Sequence, residues 1–200
     1  MSPTPPGDPT STRLYQQPWP EGEHRFVQLG FVVDDLLAAA QRWVDVFGVG
    51  PFHVMPRRQS PCTYRGEAGT TDLQVAVAQA GPVQIELIRD HAGGAGVFTE
   101  LADVRAGFHQ LCTLTFDYDT TIDHYRASGY EVVCEMGRDQ RVAFVDTMAD
   151  FGFFAEVVEA TPAFVAAVAG ISDTCATWDG TDPIRLLTRD GYRVPEVGGA

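Results

Sequence analysis

The chain says the same thing twice, and that duplication limits its fold more than any other feature. Gln28-Leu-Gly-Phe-Val-Val-Asp-Asp35 opens one half and Gln110-Leu-Cys-Thr-Leu-Thr-Phe-Asp117 opens the other. In each, a Gln-Leu pair starts an apolar strand, an Asp follows seven positions after the Gln, and a large aromatic, Trp43 or Tyr125, follows at fifteen. Each half closes on an apolar strand with a central glutamate, Val83-Gln-Ile-Glu86-Leu-Ile and Phe153-Phe-Ala-Glu156-Val-Val. Two such modules related by a pseudo-twofold axis would bring an amide from each first strand and a carboxylate from each last strand to one site. A carboxylate in the middle of an apolar strand is costly unless it is paired, protonated or bound to metal. Two of them at matching positions are the main reason to read the chain as an enzyme.

Hydropathy patterning fills in each module. Phe26 to Val33 reads as a strand, and Asp34-Asp35 caps a helix with apolar residues at Leu36, Ala40, Trp43, Val44 and Phe47. Gly48-Val-Gly-Pro51 ends it. Phe52 to Met55 is a short strand, residues 57–71 read as a loop, and Leu73 to Ala80 and Val83 to Arg89 form a hairpin about Gly81-Pro82. The second half repeats the order: strand Phe108 to Phe116, helix Asp119 to Ser128, then strands Tyr130 to Glu135, Arg141 to Asp146 and Phe153 to Glu159. A helix over Pro162 to Ala169 and an irregular tail from Ser172 follow. The expected organisation is an N-terminal arm at 1–24, a first βαβββ module at 25–92, a linker at 93–107, a second module at 108–160 and a C-terminal helix and tail at 161–200. Alternation along strands puts Gln28 on one face with Gly30 and Val32, and Val27, Leu29, Phe31 and Val33 on the helix-facing side. Gln84, Glu86 and Ile88 share a face, as do Phe154, Glu156 and Val158.

Composition excludes several function classes. The net charge is −13, and no basic cluster is longer than Arg57-Arg58, which argues against nucleic acid and anionic membranes. All fourteen basic residues are arginine, so no lysine can form a Schiff base. Cys62, Cys112, Cys134 and Cys175 show no CxxC spacing and read as free thiols. Met1 to Pro20 lacks a basic stretch followed by an apolar run, and the expectation is a soluble cytoplasmic protein with a disordered leader.

The paired modules, together with Gln28-Leu-Gly-Phe-Val-Val-Asp-Asp-Leu36, Gly48-Val-Gly-Pro-Phe52 and the two closing strands bearing Glu86 and Glu156, resemble the vicinal oxygen chelate superfamily. Its members include glyoxalase I, methylmalonyl-CoA epimerase, extradiol dioxygenases and bleomycin-resistance proteins. The resemblance spans Phe26 to Ala160. It implies an α+β fold in which two βαβββ modules form a curved mixed sheet around a cleft. It also implies metal-ligand positions at Gln28, Glu86, Gln110 and Glu156. The third position is usually His in that family. Here the in-register residue is Gln110, and His109 faces the other way unless a bulge turns it inward. An all-oxygen quartet favours Mg²⁺ or Mn²⁺, and a site with His109 suits Zn, Ni, Co or Fe. A metal-free pair of carboxylates is the remaining alternative.

The expected activity is that of an isomerase, epimerase or lyase moving a proton next to a carbonyl through an enolate. Glu156 would be the base and Glu86 its partner acid or second ligand. Gln84, Phe52, His53, Tyr64, Arg65, Phe144 and Phe154 are the expected substrate contacts. Asp146 is expected to cap a turn, and Trp43 and Tyr125 to pack in the core. The rival expectation is a non-catalytic module that sequesters a small aromatic or antibiotic-like molecule. The partners expected are a small molecule and a second copy of the chain, as a homodimer.

Overall fold

The computed structural model describes residues 25–100, 107–137 and 139–195. The expected arm at 1–24, part of the linker and the last five residues lie outside the described residues. The first module is β1 (Arg25–Val32), α1 (Leu36–Phe47), β2 (Phe52–Val54), β3 (Arg58–Tyr64), β4 (Glu67–Ala80) and β5 (Val83–Asp90). The second is β6 (Gly107–Thr115), α2 (Tyr118–Ala127), β7 (Val132–Met136), β8 (Val142–Val145), the short α3 (Met148–Phe151) and β9 (Phe154–Glu159). They are followed by α4 (Pro162–Ala176), β10 (Ile184–Thr188) and β11 (Gly191–Arg193).

The duplication is visible in the hydrogen bonds. Asp35 caps α1 by accepting from the Ala38 amide at 3.0 Å, and Asp117 caps α2 by accepting from Thr120 at 3.2 Å. In each module the first and last strands run parallel: Gln28 lies beside Gln84 and Gly30 beside Glu86, while Gln110 lies beside Phe154 and Cys112 beside Glu156. The two glutamates therefore occupy equivalent register positions. Gly48 ends α1 in the left-handed region at φ 64, where its N–H reaches the Trp43 and Val44 carbonyls.

Strands β1 and β6 pair antiparallel and join the modules, among the described residues, into an eleven-stranded mixed sheet. That sheet closes on itself. From β1 the ring runs through β5, β4, β3, β7, β8, β9 and β6 back to β1. The seam is the β3–β7 pair, where Thr63 faces Glu135. Residues 57–71 are thus not the expected loop; most of them form β3 and the start of β4, a hairpin long enough to reach the second module. The tail is not irregular either. Helix α4 continues to Ala176, and β10 and β11 extend the sheet beside β2.

Alternation sorts the side chains as expected. Leu29, Phe31 and Val33 pack outward with α1 against Ala76, Ala78, Ile85 and Leu87. Tyr118 and Ile122 of α2 cover Ala143, Val145, Ala155 and Val157. Val27 departs from the pattern. A register shift between Phe26 and Gln28 turns it inward, where it packs with Cys112, Leu114 and Val158 against Phe164 of α4. Inside the ring, one end is filled by Phe98, Val133, Phe144 and Phe154. The other end is hollow and is covered by α4. No helix among the described residues is long and apolar enough to cross a membrane.

Candidate active site

The hollow end of the barrel is a cavity of about 700 Å³. Gln28, Gln84, Glu86 and Glu156 line it, as alternation on β1, β5 and β9 predicts. Aliphatic residues of the sheet and Phe164, Val168 and Ile171 of α4 supply most of the rest. Gln28 Nε2 donates to Gln84 Oε1 at 3.1 Å, and Gln84 Nε2 donates to the Val168 carbonyl at 3.3 Å. This chain of amides ties the helix to the floor of the site.

Gln110 joins the two carboxylates. Its Nε2 donates to Glu86 Oε2 at 3.2 Å and to Glu156 Oε2 at 3.3 Å. The side chain can lie there because its cross-strand neighbour is glycine: a Cβ on Gly30 would sit 2.5 Å from Gln110 Cδ. Burial pushes the Glu156 carboxyl up to about 7. Burial, and then the charge on Glu156, raise Glu86 well above the usual carboxylate range. Both carboxyls are thus held toward the protonated form, with Glu156 poised near neutral pH. The Cys112 thiol stands beside Glu156 and stays protonated, raised by burial first and by both carboxylates next. Sequence reasoning passed over Cys112, although strand alternation already put it on the face of Gln110.

A second register shift, between Gly30 and Phe31 on β1, leaves His109 as the extra residue of β6. His109 and Gln110 consequently both point inward. His109 does not reach the carboxylates. Its Nε2 donates to the Val97 carbonyl at 2.9 Å, its Nδ1 lies against the Gln110 amide, and Phe98, Phe144 and Phe154 surround the ring. Burial lowers its pKa. The expected aromatic lining from Phe144 and Phe154 is spent on this box, and Phe52 is packed beneath α1. His53 is buried on β2 between Val77 of β4 and Arg185 of β10, away from the cavity wall. Tyr64 and Arg65 do not rim the cavity. Arg65 is held by Glu100 and Asp146 at 2.8 and 3.2 Å, and the Tyr64 hydroxyl meets Glu100. Asp146 caps the turn into α3 by accepting from the Met148 amide at 3.2 Å.

A divalent metal at the four positions implied by resemblance fits this arrangement poorly. Gln110 offers an N–H to both carboxylates where a ligand oxygen would be needed, and Gln28 is turned to Gln84. Among the described residues no group of three or more His, Cys, Asp or Glu could hold a metal ion.

The sequence profile of the glyoxalase/bleomycin resistance protein/dioxygenase superfamily matches residues 27–144. The chain belongs to that superfamily. Its glyoxalase-like fold is shared with solved structures. One is methylmalonyl-CoA epimerase from Mycobacterium tuberculosis, at 22% identity and TM-score 0.50, covering 70% of this chain and 90% of that one. Another is a hypothetical protein from Bacillus halodurans C-125, at 14% identity and TM-score 0.51, covering 70% and 96%. No curated protein matches the sequence. The superfamily match includes Glu86 and Gln110 but stops before Glu156 and α4.

Proposed function

We propose that this protein is an isomerase, epimerase or lyase that moves a proton at a carbon next to a carbonyl. The observation that carries this reading is the pair of inward carboxyls bridged by Gln110, both raised above the ordinary carboxylate range and Glu156 to about 7, in a mostly apolar cavity. Glu156 is the group able to accept a proton near neutral pH, and Glu86 is the group able to donate one. A substrate lodged between them gives its α-proton to Glu156. Glu86 then protonates the enolate, at oxygen or at the opposite face of the carbon. The Gln110 amide stabilises whichever carboxyl is ionised, so the two exchange roles without leaving a buried charge unsolvated.

The test is exchange of α-protons for deuterium in heavy water, followed by NMR. The substrates are a panel of small carbonyl acids and acyl thioesters that includes methylmalonyl-CoA, since one neighbour in fold is an epimerase of that name. Glu156→Gln is expected to slow exchange by about 10²–10⁴-fold. An unchanged rate in that variant removes Glu156 as the base. Sequestration of a ligand without turnover is the second reading, favoured by α4 lying over the cavity. Tight binding with no exchange in the wild-type protein decides for it.

A further inference from the structure

The cavity has two polar ends, and they are chemically opposite. At its floor are Glu86 and Glu156. At its mouth is Arg58, exposed, on the inner face of β3 with Ser60. The neighbouring Arg57 is already neutralised: its Nε and Nη2 donate to the two oxygens of Asp72, each at 2.6 Å. Arg58 has no carboxylate partner among the described residues, in a chain where acidic residues outnumber basic ones by 27 to 14. Register fixes the separation of the ends. Arg58 lies beside Leu73 and Glu86 beside Val77. The step from Leu73 to Val77 along β4 spans about 13 Å of strand. The walls along that distance are aliphatic, completed by Phe164 and Ile171 of α4.

We infer that the cavity receives a lipophilic carbonyl compound carrying one anionic group, with its body under α4 and the anion held at the mouth by Arg58. This rests on the reading of the carboxyl pair as the reacting end. An anion at the floor would meet two carboxyls, whereas at the mouth it meets an unpaired guanidinium. A volume of about 700 Å³ takes in far more than a few heavy atoms, so a lipophilic body has apolar wall to lie against. Helix α4, which roofs the cavity, lies outside the residues matched by the superfamily profile, whereas Arg58 lies within them.

Binding of decanoate and of 1-decanol, measured by calorimetry on the full chain, tests the inference. Decanoate is expected to bind about tenfold tighter than the alcohol, Arg58→Gln to abolish the difference, and Arg58→Lys to restore part of it. Ile171→Trp, which fills the cavity, is expected to weaken both probes. Equal affinity for the two probes, failure of both to bind, or decanoate binding unaltered in Arg58→Gln overturns the inference. Glu156→Gln should keep the probe preference while losing proton exchange. Preference without exchange in the wild-type protein therefore sinks the proposed reaction and leaves the ligand class standing.

Discussion

Gln110 reaches both glutamates only because Gly30 leaves its space open. Gly30→Ala would push the amide away, since the three atoms nearest the added Cβ all belong to the Gln110 side chain. The expected result is a loss of exchange activity of about tenfold or more, with an unfolding midpoint close to wild type, read from parallel rate and urea measurements. The glutamates also leave a signature on stability. Their folded-state pKa values lie above the ordinary 4.5, so the native state keeps protons that the unfolded chain has released. The contribution is complete below about pH 4.5 and fades as pH rises, through about 7 for Glu156. At about 1.4 kcal/mol per pKa unit, the Glu156 part is on the order of 3 kcal/mol. Urea unfolding between about pH 5 and 8 should show the fall, and Glu156→Gln should flatten it; an equally steep slope in the variant would place the titration elsewhere. The inward face of Glu86 and Glu156 was legible from period-two alternation. The paired inward turn of His109 and Gln110 was not, because a bulge breaks that period without leaving a mark in hydropathy.

Among the elements, β3 was the hardest to read and the most consequential. Its residues alternate between exposed and half-buried, so the stretch looks like a polar loop. The signal that was present lies in its turn. Arg65 and Gly66 adopt φ 44 and 83, the positive values of a two-residue hairpin. An Arg-Gly pair between Tyr64 and Glu67 is a weaker form of the familiar Asn-Gly signature. Gly66→Ala is expected to cost about 1 kcal/mol in urea unfolding, since only glycine adopts this backbone freely. No change would mean that the turn relaxes without strain. Helix α4 was legible at its start, where Thr161 caps Phe164 at 3.2 Å and Pro162 follows. Its end was missed because Ser172, Asp173 and Thr174 are poor helix interiors. Here the packing of Val168 and Ile171 over the cavity carries the helix past them.

At the scale of the molecule, the duplicated modules were readable because each feature of one strand has a counterpart in the other at fixed spacing. Closure of the ring was not, since it depends on the β3–β7 pairing across two modules and no local pattern reports that contact. That seam has a consequence for how the protein works. Strands of one polypeptide wall the hollow, and a helix of the same polypeptide roofs it. Among the described residues, one chain thus supplies both the wall and the roof of this vessel. Specific activity should hold constant on serial dilution, whatever copies do to one another at higher concentration; a drop would show that the vessel is completed from outside.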